Sequence, residues 1–227
     1  AGKFVAAMDI RNQCSGFLYG LSTATSFIRG GGAKNVLLVG AETHSAALDL
    51  TTRGRTVGTL FGDGAGAVVV SATEEDRGVR SWVLGADGRY ADVLTLKIFD
   101  IRKRPYIKLN EDGTGSVPVE TLYPHMEGKV VFRHAVERMM TSLMEVLTKE
   151  NISGDKIDLF VFHQANLRIN QYIQQQLGIP DDKVVNNIMR YGNTTAATIP
   201  ILLCEAEQSG KLKRGMKIAC VAFGSGF

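Results

Sequence analysis

Three side chains that could do chemistry each follow an apolar segment and precede a helix-like segment. Cys14 lies in a turn-like sequence at 11–16, His163 ends the segment LFVFH, and Asn193 lies within YGNTT. A cysteine followed far downstream by a histidine and an asparagine is typical of nucleophilic catalysis. At a helix start, the helix dipole and free N–H groups favour a thiolate and lower the pKa of a cysteine. The pattern therefore predicts a Cys–His–Asn site with Cys14 as the nucleophile.

Each of the three residues also has a purely structural interpretation. Cys14 could be a small buried hydrophobe, His163 a capping or buried histidine, and Asn193 a helix N-cap. Their common position at strand-to-helix turns favours the catalytic interpretation. The remaining cysteines and histidines lack metal-ligand spacing and are predicted to be structural or surface residues: Cys204, Cys220, His44, His125 and His134.

The elements that would position Cys14 begin with an apolar segment at 4–10, predicted to be a buried strand. A helix is predicted over 17–28 and a strand over 35–41, which calls for parallel pairing with a right-handed crossover. Further strands are predicted over 65–71 and 79–84.

The second half repeats the order strand, reactive residue, helix, strand around His163. The repeat is one of predicted elements and not of sequence identity. Its predicted elements are a helix at 128–150, a strand at 157–162, a helix at 166–177, a strand at 184–188, a helix at 194–209 and a strand at 217–223. Two related α/β halves would meet where their strands end, which is where α/β folds bind ligands. We divide the chain at residue 75, so that 1–75 carries Cys14 and 76–227 carries His163 and Asn193, with a long loop at 97–125.

Composition excludes several classes of protein. The chain has 227 residues, 44% hydrophobic residues and a net charge of +3, which is ordinary for a packed domain and gives no case for nucleic-acid binding. No apolar stretch is long enough to span a membrane, and no signal peptide is recognisable at residue 1. Three widely spaced cysteines do not form a disulfide framework, which favours a reducing, cytoplasmic setting. The glycine-rich FGDGAGA precedes a strand and not a helix, which argues against a dinucleotide-binding loop.

Five motifs together resemble the β-ketoacyl-[acyl carrier protein] synthase III family: DIRNQCSGF, FGDGAGA, HQANLRI, GNTTAA and AFGSGF. The resemblance follows the family order along nearly the whole chain. It implies a thiolase-like five-layered α/β/α/β/α fold with two pseudo-repeated halves, a homodimer, and a Cys14–His163–Asn193 catalytic set. It also implies no cofactor, since a CoA thioester would enter as substrate.

The resemblance assigns further roles. Arg53 and Arg168 fall on positions that contact CoA, Arg133 and Arg168 on the surface that receives acyl carrier protein, and Phe223 on the border of the active site. Backbone N–H groups of Cys14 and Ser225 would form the oxyanion hole. The implied reaction is acylation of Cys14 by an acyl-CoA, then decarboxylative condensation with malonyl-acyl carrier protein, for which His163 and Asn193 donate hydrogen bonds.

Three departures from the family pattern leave alternatives open. A large N-terminal segment and a final strand of the family are absent, so we expect the rest of the same protein as a partner of this chain. The loop at 97–125 is longer than usual, and Ser225 stands where glycine is usual. The alternatives are a same-fold acyltransferase or condensing enzyme of secondary metabolism, and a non-catalytic partner subunit. A thiolase proper is disfavoured because AFGSGF carries no second cysteine.

Overall fold

A computed structural model of the chain describes residues 4–97, 108–109, 112, 115–116 and 121–227. Its α-helices are α1 (Gly16–Arg29), α2 (Arg55–Gly58), α3 (Gly128–Lys149), α4 (Leu167–Gln176), α5 (Ile188–Tyr191) and α6 (Thr198–Gln208). Its strands are β1 (Asn35–Glu42), β2 (Gly64–Ser71), β3 (Leu94–Thr95), β4 (Lys108–Leu109), β5 (Gly115–Ser116), β6 (His125–Met126), β7 (Leu159–Phe162) and β8 (Ile218–Val221). Most of the predicted loop at 97–125 lies outside the described residues.

The first sheet pairs β1 with β2 in antiparallel register, from Asn35 opposite Ser71 to Glu42 opposite Gly64. Helices α1 and α6 pack on one face of this pair. The opposite face exposes alternate apolar side chains, among them Leu37, Val39 and Val69. The sheet is therefore covered on one side within this chain.

The predicted first strand at 4–10 is wrong, and so is its parallel pairing with 35–41. These residues pair with no strand of the described chain, and Phe4, Val5 and Met8 are exposed. An apolar segment becomes a strand only where a neighbouring strand supplies hydrogen-bond partners, and none of the described strands lies beside 4–10.

The second sheet pairs β7 with β8 in parallel, from Leu159 opposite Ile218 to Phe162 opposite Val221. Every residue of β7 is buried, as expected for a strand covered on both faces. One buried apolar cluster joins α3 and α4 to this pair, and a second joins α1 and α6 to it. The parallel pair therefore forms the centre of the core and directs its carboxyl end toward His163.

Two other predicted strands differ from the structure. Residues 79–84 form no strand, and Val184 makes only an isolated parallel bridge to Phe160 where a strand over 184–188 was expected. Residues 79–84 have no described strand alongside them, so they do not form the backbone hydrogen bonds of a sheet despite their apolar pattern. No described helix is both long and apolar enough to cross a membrane.

Candidate active site

Cys14 lies in a single 3₁₀ turn, Gln13–Ser15, which leads directly into α1. The side chain is buried, with 7% of its surface exposed. Gly224, far away in the sequence, packs against it so closely that a Cβ there would lie 2.5 Å from Cys14 Cβ. Glycine at 224 is therefore required for the AFGSGF turn to approach Cys14 this closely.

The prediction of a depressed pKa for Cys14 is wrong. Burial raises the pKa of the thiol to about 11, and the charge of Glu42 adds to the effect. The N–H groups of Ser225 and of Cys14 itself, together with the Asn193 side chain, act in the opposite direction by hydrogen bonding to the sulfur. Because desolvation outweighs these donors, the resting site holds a thiol at neutral pH.

His163 follows β7, and its N–H donates to Val221 O at 2.8 Å. The imidazole is 2% exposed, and burial lowers its pKa to about 3, so the ring is neutral. Its Nδ1 lies 2.6 Å from Thr198 Oγ1. Its Nε2 is buried and has no hydrogen-bond partner among the described residues. The ring is thus anchored at one nitrogen and open at the other.

Asn193 is fixed by backbone contacts to the glycine-rich segment. Its N–H donates to Leu60 O at 2.8 Å, and its C=O accepts from Gly62 N–H at 3.0 Å. A Cβ on Gly62 would lie 2.0 Å from Tyr191 O, and Gly192 has a φ of +67°. The glycines of FGDGAGA therefore allow close packing on the segment that carries Asn193 and on the start of α6, which explains them without a phosphate-binding role.

The amide of Asn193 is oriented by the next turn. Its Oδ1 accepts from Thr195 N–H at 2.8 Å, so Nδ2 is the end available to Cys14. Thr195 itself has a left-handed φ of +51°, unusual for a β-branched residue, and its Oγ1 makes a short hydrogen bond with His44 Nε2. Strained backbone of this kind persists where surrounding contacts hold it, often at functional sites.

Cys14, His163 and Asn193 all line one cavity of about 120 Å³. Its other walls are almost entirely apolar and come from several elements: Leu60, Phe61, Leu94, Met126, Val131, Phe132, Ala135, Met139, Ile169 and Phe223. An apolar pocket ending at a few convergent polar groups suits an apolar ligand with a polar group at that end.

The other predicted site residues lie in different places. Ser225 directs its N–H to the Cys14 sulfur while its hydroxyl donates to Leu94 O, so the hydroxyl is turned away from the nucleophile. Phe223 is buried and lines the cavity.

The three predicted arginines lie outside the cavity lining. Arg53 pairs with Asp49 at 2.6 Å, and its guanidinium stacks over Tyr123. Arg133 on α3 and Arg168 on α4 are exposed on two helices that pack together, and neither makes an ion pair within the described part of the chain.

Sequence reasoning missed Thr195 and Thr198, which contact the side chains of Asn193 and His163, and it missed the cavity walls contributed by α3. The apolar face of α3 was a readable signal for the walls, because Val131, Ala135 and Met139 recur at helical spacing. Within the described ranges, no three His, Cys, Asp or Glu side chains are grouped as metal ligands.

Comparison with known proteins gives consistent matches. The family model described as 3-oxoacyl-[acyl-carrier-protein (ACP)] synthase III matches residues 8–88, and the model of the C-terminal part of that family matches 147–227, together well over half of the chain. A curated relative from Clostridium perfringens, beta-ketoacyl-[acyl-carrier-protein] synthase III, is 44% identical over 220 residues, or 97% of this chain and 65% of the relative. The chain thus spans a little less than two thirds of such relatives.

Solved structures match as well. The 3-oxoacyl-[acyl-carrier-protein] synthase III from Aquifex aeolicus has a TM-score of 0.84 and 40% identity, covering 99% of this chain and 65% of that one. The priming beta-ketosynthase of the R1128 polyketide pathway has a TM-score of 0.79 and 31% identity, covering 96% and 62%. These similarities confirm the predicted thiolase-like α/β fold.

Proposed function

Because the chain belongs to the 3-oxoacyl-[acyl-carrier-protein] synthase III family, we propose that it catalyses decarboxylative condensation. In this reaction an acyl-CoA primer and malonyl-acyl carrier protein give a β-ketoacyl-acyl carrier protein, the first condensation of fatty acid synthesis. The observation that carries the proposal is the convergence of Cys14, His163 and Asn193 on one apolar cavity.

In the first half-reaction the Cys14 sulfur loses its proton and attacks the thioester carbon of acyl-CoA. A new C–S bond forms, the bond to CoA breaks, and the departing thiolate takes up a proton. The negative oxygen of the tetrahedral intermediate would be held by the N–H groups of Cys14 and Ser225, which already point at the sulfur. The apolar walls would hold the acyl chain and exclude water from the acyl-cysteine.

In the second half-reaction the malonyl group loses CO₂, and the electron pair of the broken C–C bond forms an enolate. Asn193 Nδ2 and His163 Nε2–H would donate to the enolate oxygen, which stabilises the anion without protonating the carbon. The enolate carbon attacks the acyl carbon of acyl-Cys14. The sulfur then leaves and takes up a proton, which restores the thiol.

We propose that the substrate partners are recognised by the three predicted arginines, which lie outside the cavity lining. Arg133 and Arg168, exposed on packed helices, suit an acidic carrier protein. Arg53 is assigned to CoA by resemblance, although its ion pair with Asp49 already occupies part of its guanidinium. We also propose a homodimer, on family resemblance, and a cytoplasmic location, where the free cysteines would stay reduced. The proposal requires no metal or cofactor.

A second candidate is priming of a secondary-metabolite pathway by the same chemistry. The similarity to the R1128 priming beta-ketosynthase favours it. The two candidates differ in the primer and in the carrier protein and not in the catalytic residues. A non-catalytic partner subunit is disfavoured because the nucleophile and both donors are present.

The test incubates the protein with a panel of acyl-CoAs and then with malonyl-acyl carrier protein. We expect an acyl mass on the peptide that contains Cys14, followed by CO₂ release and a β-ketoacyl-carrier product. Acylation without condensation on any malonyl-carrier would contradict the proposal. Condensation confined to a polyketide carrier would support the second candidate instead.

A further inference from the structure

Thr198, at the start of α6, contacts His163 directly but does not line the cavity. We infer that Thr198 is a positioning residue whose hydroxyl donates to His163 Nδ1 and thereby fixes the tautomer in which Nε2 carries the hydrogen. This inference rests on the proposed function, since it explains how a neutral histidine becomes a hydrogen-bond donor toward the thioester oxygen.

A neutral imidazole has one N–H and one bare nitrogen, so the partner of Nδ1 decides what Nε2 can do. His163 is neutral because its burial disfavours the charged form. Among the described residues, the hydrogen-bond partner of Nδ1 is Thr198 Oγ1. The direction of this one hydrogen bond therefore sets whether Nε2 donates or accepts in the cavity.

The hydroxyl of Thr198 has one hydrogen and two acceptors within reach. Thr195 O lies 3.0 Å from Oγ1, and His163 Nδ1 lies 2.6 Å from it. Thr195 O already accepts the backbone N–H of Thr198, so it is satisfied without the hydroxyl. Nδ1 has no such second donor in the described chain. Donation to Nδ1 thus leaves both acceptors satisfied, and the shorter distance agrees with it.

The turn that leads into α6 also donates a hydrogen bond to the side chain of Asn193. Thr195 N–H donates to Asn193 Oδ1 at 2.8 Å, which occupies the accepting end of the amide and leaves Nδ2 for the cavity. With Thr198 occupying the accepting nitrogen of His163, both cavity-facing groups become donors. Two donors are what an enolate oxygen requires, whereas a bare Nε2 would repel it.

The direct test is the tautomer of His163 in protein labelled with ¹⁵N-histidine. In long-range ¹H–¹⁵N spectra, Nε2 correlates with both carbon-bound ring protons and Nδ1 mainly with one. We expect the protonated-nitrogen shift on the one that shows both correlations. Protonation at Nδ1 in the wild-type protein would overturn the inference, whatever reaction the protein catalyses.

Three variants connect the tautomer to the reaction. Thr198→Val keeps the shape without the hydroxyl, and we expect it to lose Nε2 protonation as the dominant form and to slow condensation, by up to about 10²–10³, the cost of one oxyanion donor. Its acylation by acyl-CoA should persist. Thr198→Ser should restore both the spectrum and condensation.

Thr148→Val is the matched control, because it makes the same change at an exposed threonine of α3 whose hydroxyl donates to Met144 O and does not contact His163. It should leave spectrum and rates unchanged. A Thr198→Val protein with wild-type condensation and an unchanged His163 spectrum would overturn the inference. If the wild-type protein shows Nε2–H yet never condenses malonyl-carrier, the proposed function fails and the tautomer assignment stands.

Discussion

The N-terminal region (residues 4–75) and the C-terminal region (residues 128–227) hold the proposed catalytic residues in different ways. In the C-terminal region β7 is buried along its whole length, and His163 is fixed by β8 and α6 of the same region. In the N-terminal region every second residue of β1 and β2 is more exposed, and the segment before Cys14 has no strand partner in the described chain.

Cys14 is held mainly by the other region. Gly224 contacts its side chain, Ser225 and Asn193 hydrogen bond to its sulfur, and Gly16 packs on Ala196. The C-terminal region thus supplies both of the proposed donors, His163 and Asn193, and the surface against which Cys14 packs. Replacing a single catalytic side chain should therefore affect one half-reaction more than the other. Disturbing the packing between the two regions should affect both half-reactions.

Replacing the nucleophile should have the largest effect. Cys14→Ser should abolish acylation by acyl-CoA, because an un-ionised serine hydroxyl is a much weaker nucleophile than a cysteine sulfur. Intact-mass measurement after incubation with acyl-CoA checks this. Cys204→Ser is the matched control, since Cys204 is free and exposed, and it should acylate normally. An acyl mass retained on Cys14→Ser would place the nucleophile elsewhere.

Removing either donor should affect one half-reaction far more than the other. His163→Ala and Asn193→Ala should each slow condensation by roughly 10²–10³, the typical cost of one oxyanion donor. Steady-state formation of β-ketoacyl-carrier protein measures the loss. Asn193 also touches the Cys14 sulfur, so its variant should slow acylation more than His163→Ala does. Equal losses in both half-reactions for His163→Ala would contradict this separation.

The reactivity of Cys14 should depend steeply on pH. Because burial raises the thiol pKa to about 11, the thiolate fraction should rise about tenfold per pH unit throughout the neutral range. The rate of alkylation of Cys14 by iodoacetamide, followed by peptide mass in Cys204→Ser protein, should rise accordingly without a plateau below pH 9. A plateau near pH 7 would instead indicate a depressed pKa or a neighbouring base.

Breaking the packing between the two regions should weaken both half-reactions together. Gly224→Ala places a Cβ 2.5 Å from Cys14 Cβ, so backbone or side chain must shift. Overpacking of this kind costs about 1–3 kcal/mol of stability. The unfolding temperature and the acylation rate should both fall. Gly85→Ala, where a Cβ meets open space, should change neither. Normal acylation by Gly224→Ala would show that Cys14 does not depend on this contact.

The smallest effect should come from the exposed cations. Arg133→Glu or Arg168→Glu should raise KM for malonyl-acyl carrier protein several-fold at low salt, and less at high salt, because screening weakens surface attraction. The acylation rate with acyl-CoA should not change in Arg133→Glu, because Arg133 is assigned to the carrier protein and not to CoA. A KM that does not change with ionic strength would argue against electrostatic docking of the carrier.

Much of this arrangement could be predicted from the sequence, because it depends on local patterns. Helical periodicity located α1, α3 and α4, and the position of Cys14, His163 and Asn193 at element junctions predicted their convergence. The segment at 4–10 could not be judged in this way, since an apolar pattern does not reveal whether a partner strand lies alongside.

The pKa of Cys14 could not be predicted either. It depends on burial by Gly224 and its neighbours, which come from the opposite end of the sequence. The proposed role of Thr198 likewise depends on a contact with His163, which lies 35 positions away in the sequence. No local motif indicates this contact.

The most direct test of the account is a single-turnover pulse–chase on wild-type protein and His163→Ala. Each is loaded with acyl-CoA, freed of CoA and then given malonyl-acyl carrier protein, and the acyl mass on Cys14 is followed with time. We predict that both proteins load, and that the wild type passes its acyl group to the carrier as a β-ketoacyl product while His163→Ala retains it. Failure of His163→Ala to load would show that His163 activates Cys14 as a base, and unloading at the wild-type rate would show that it is not an enolate donor.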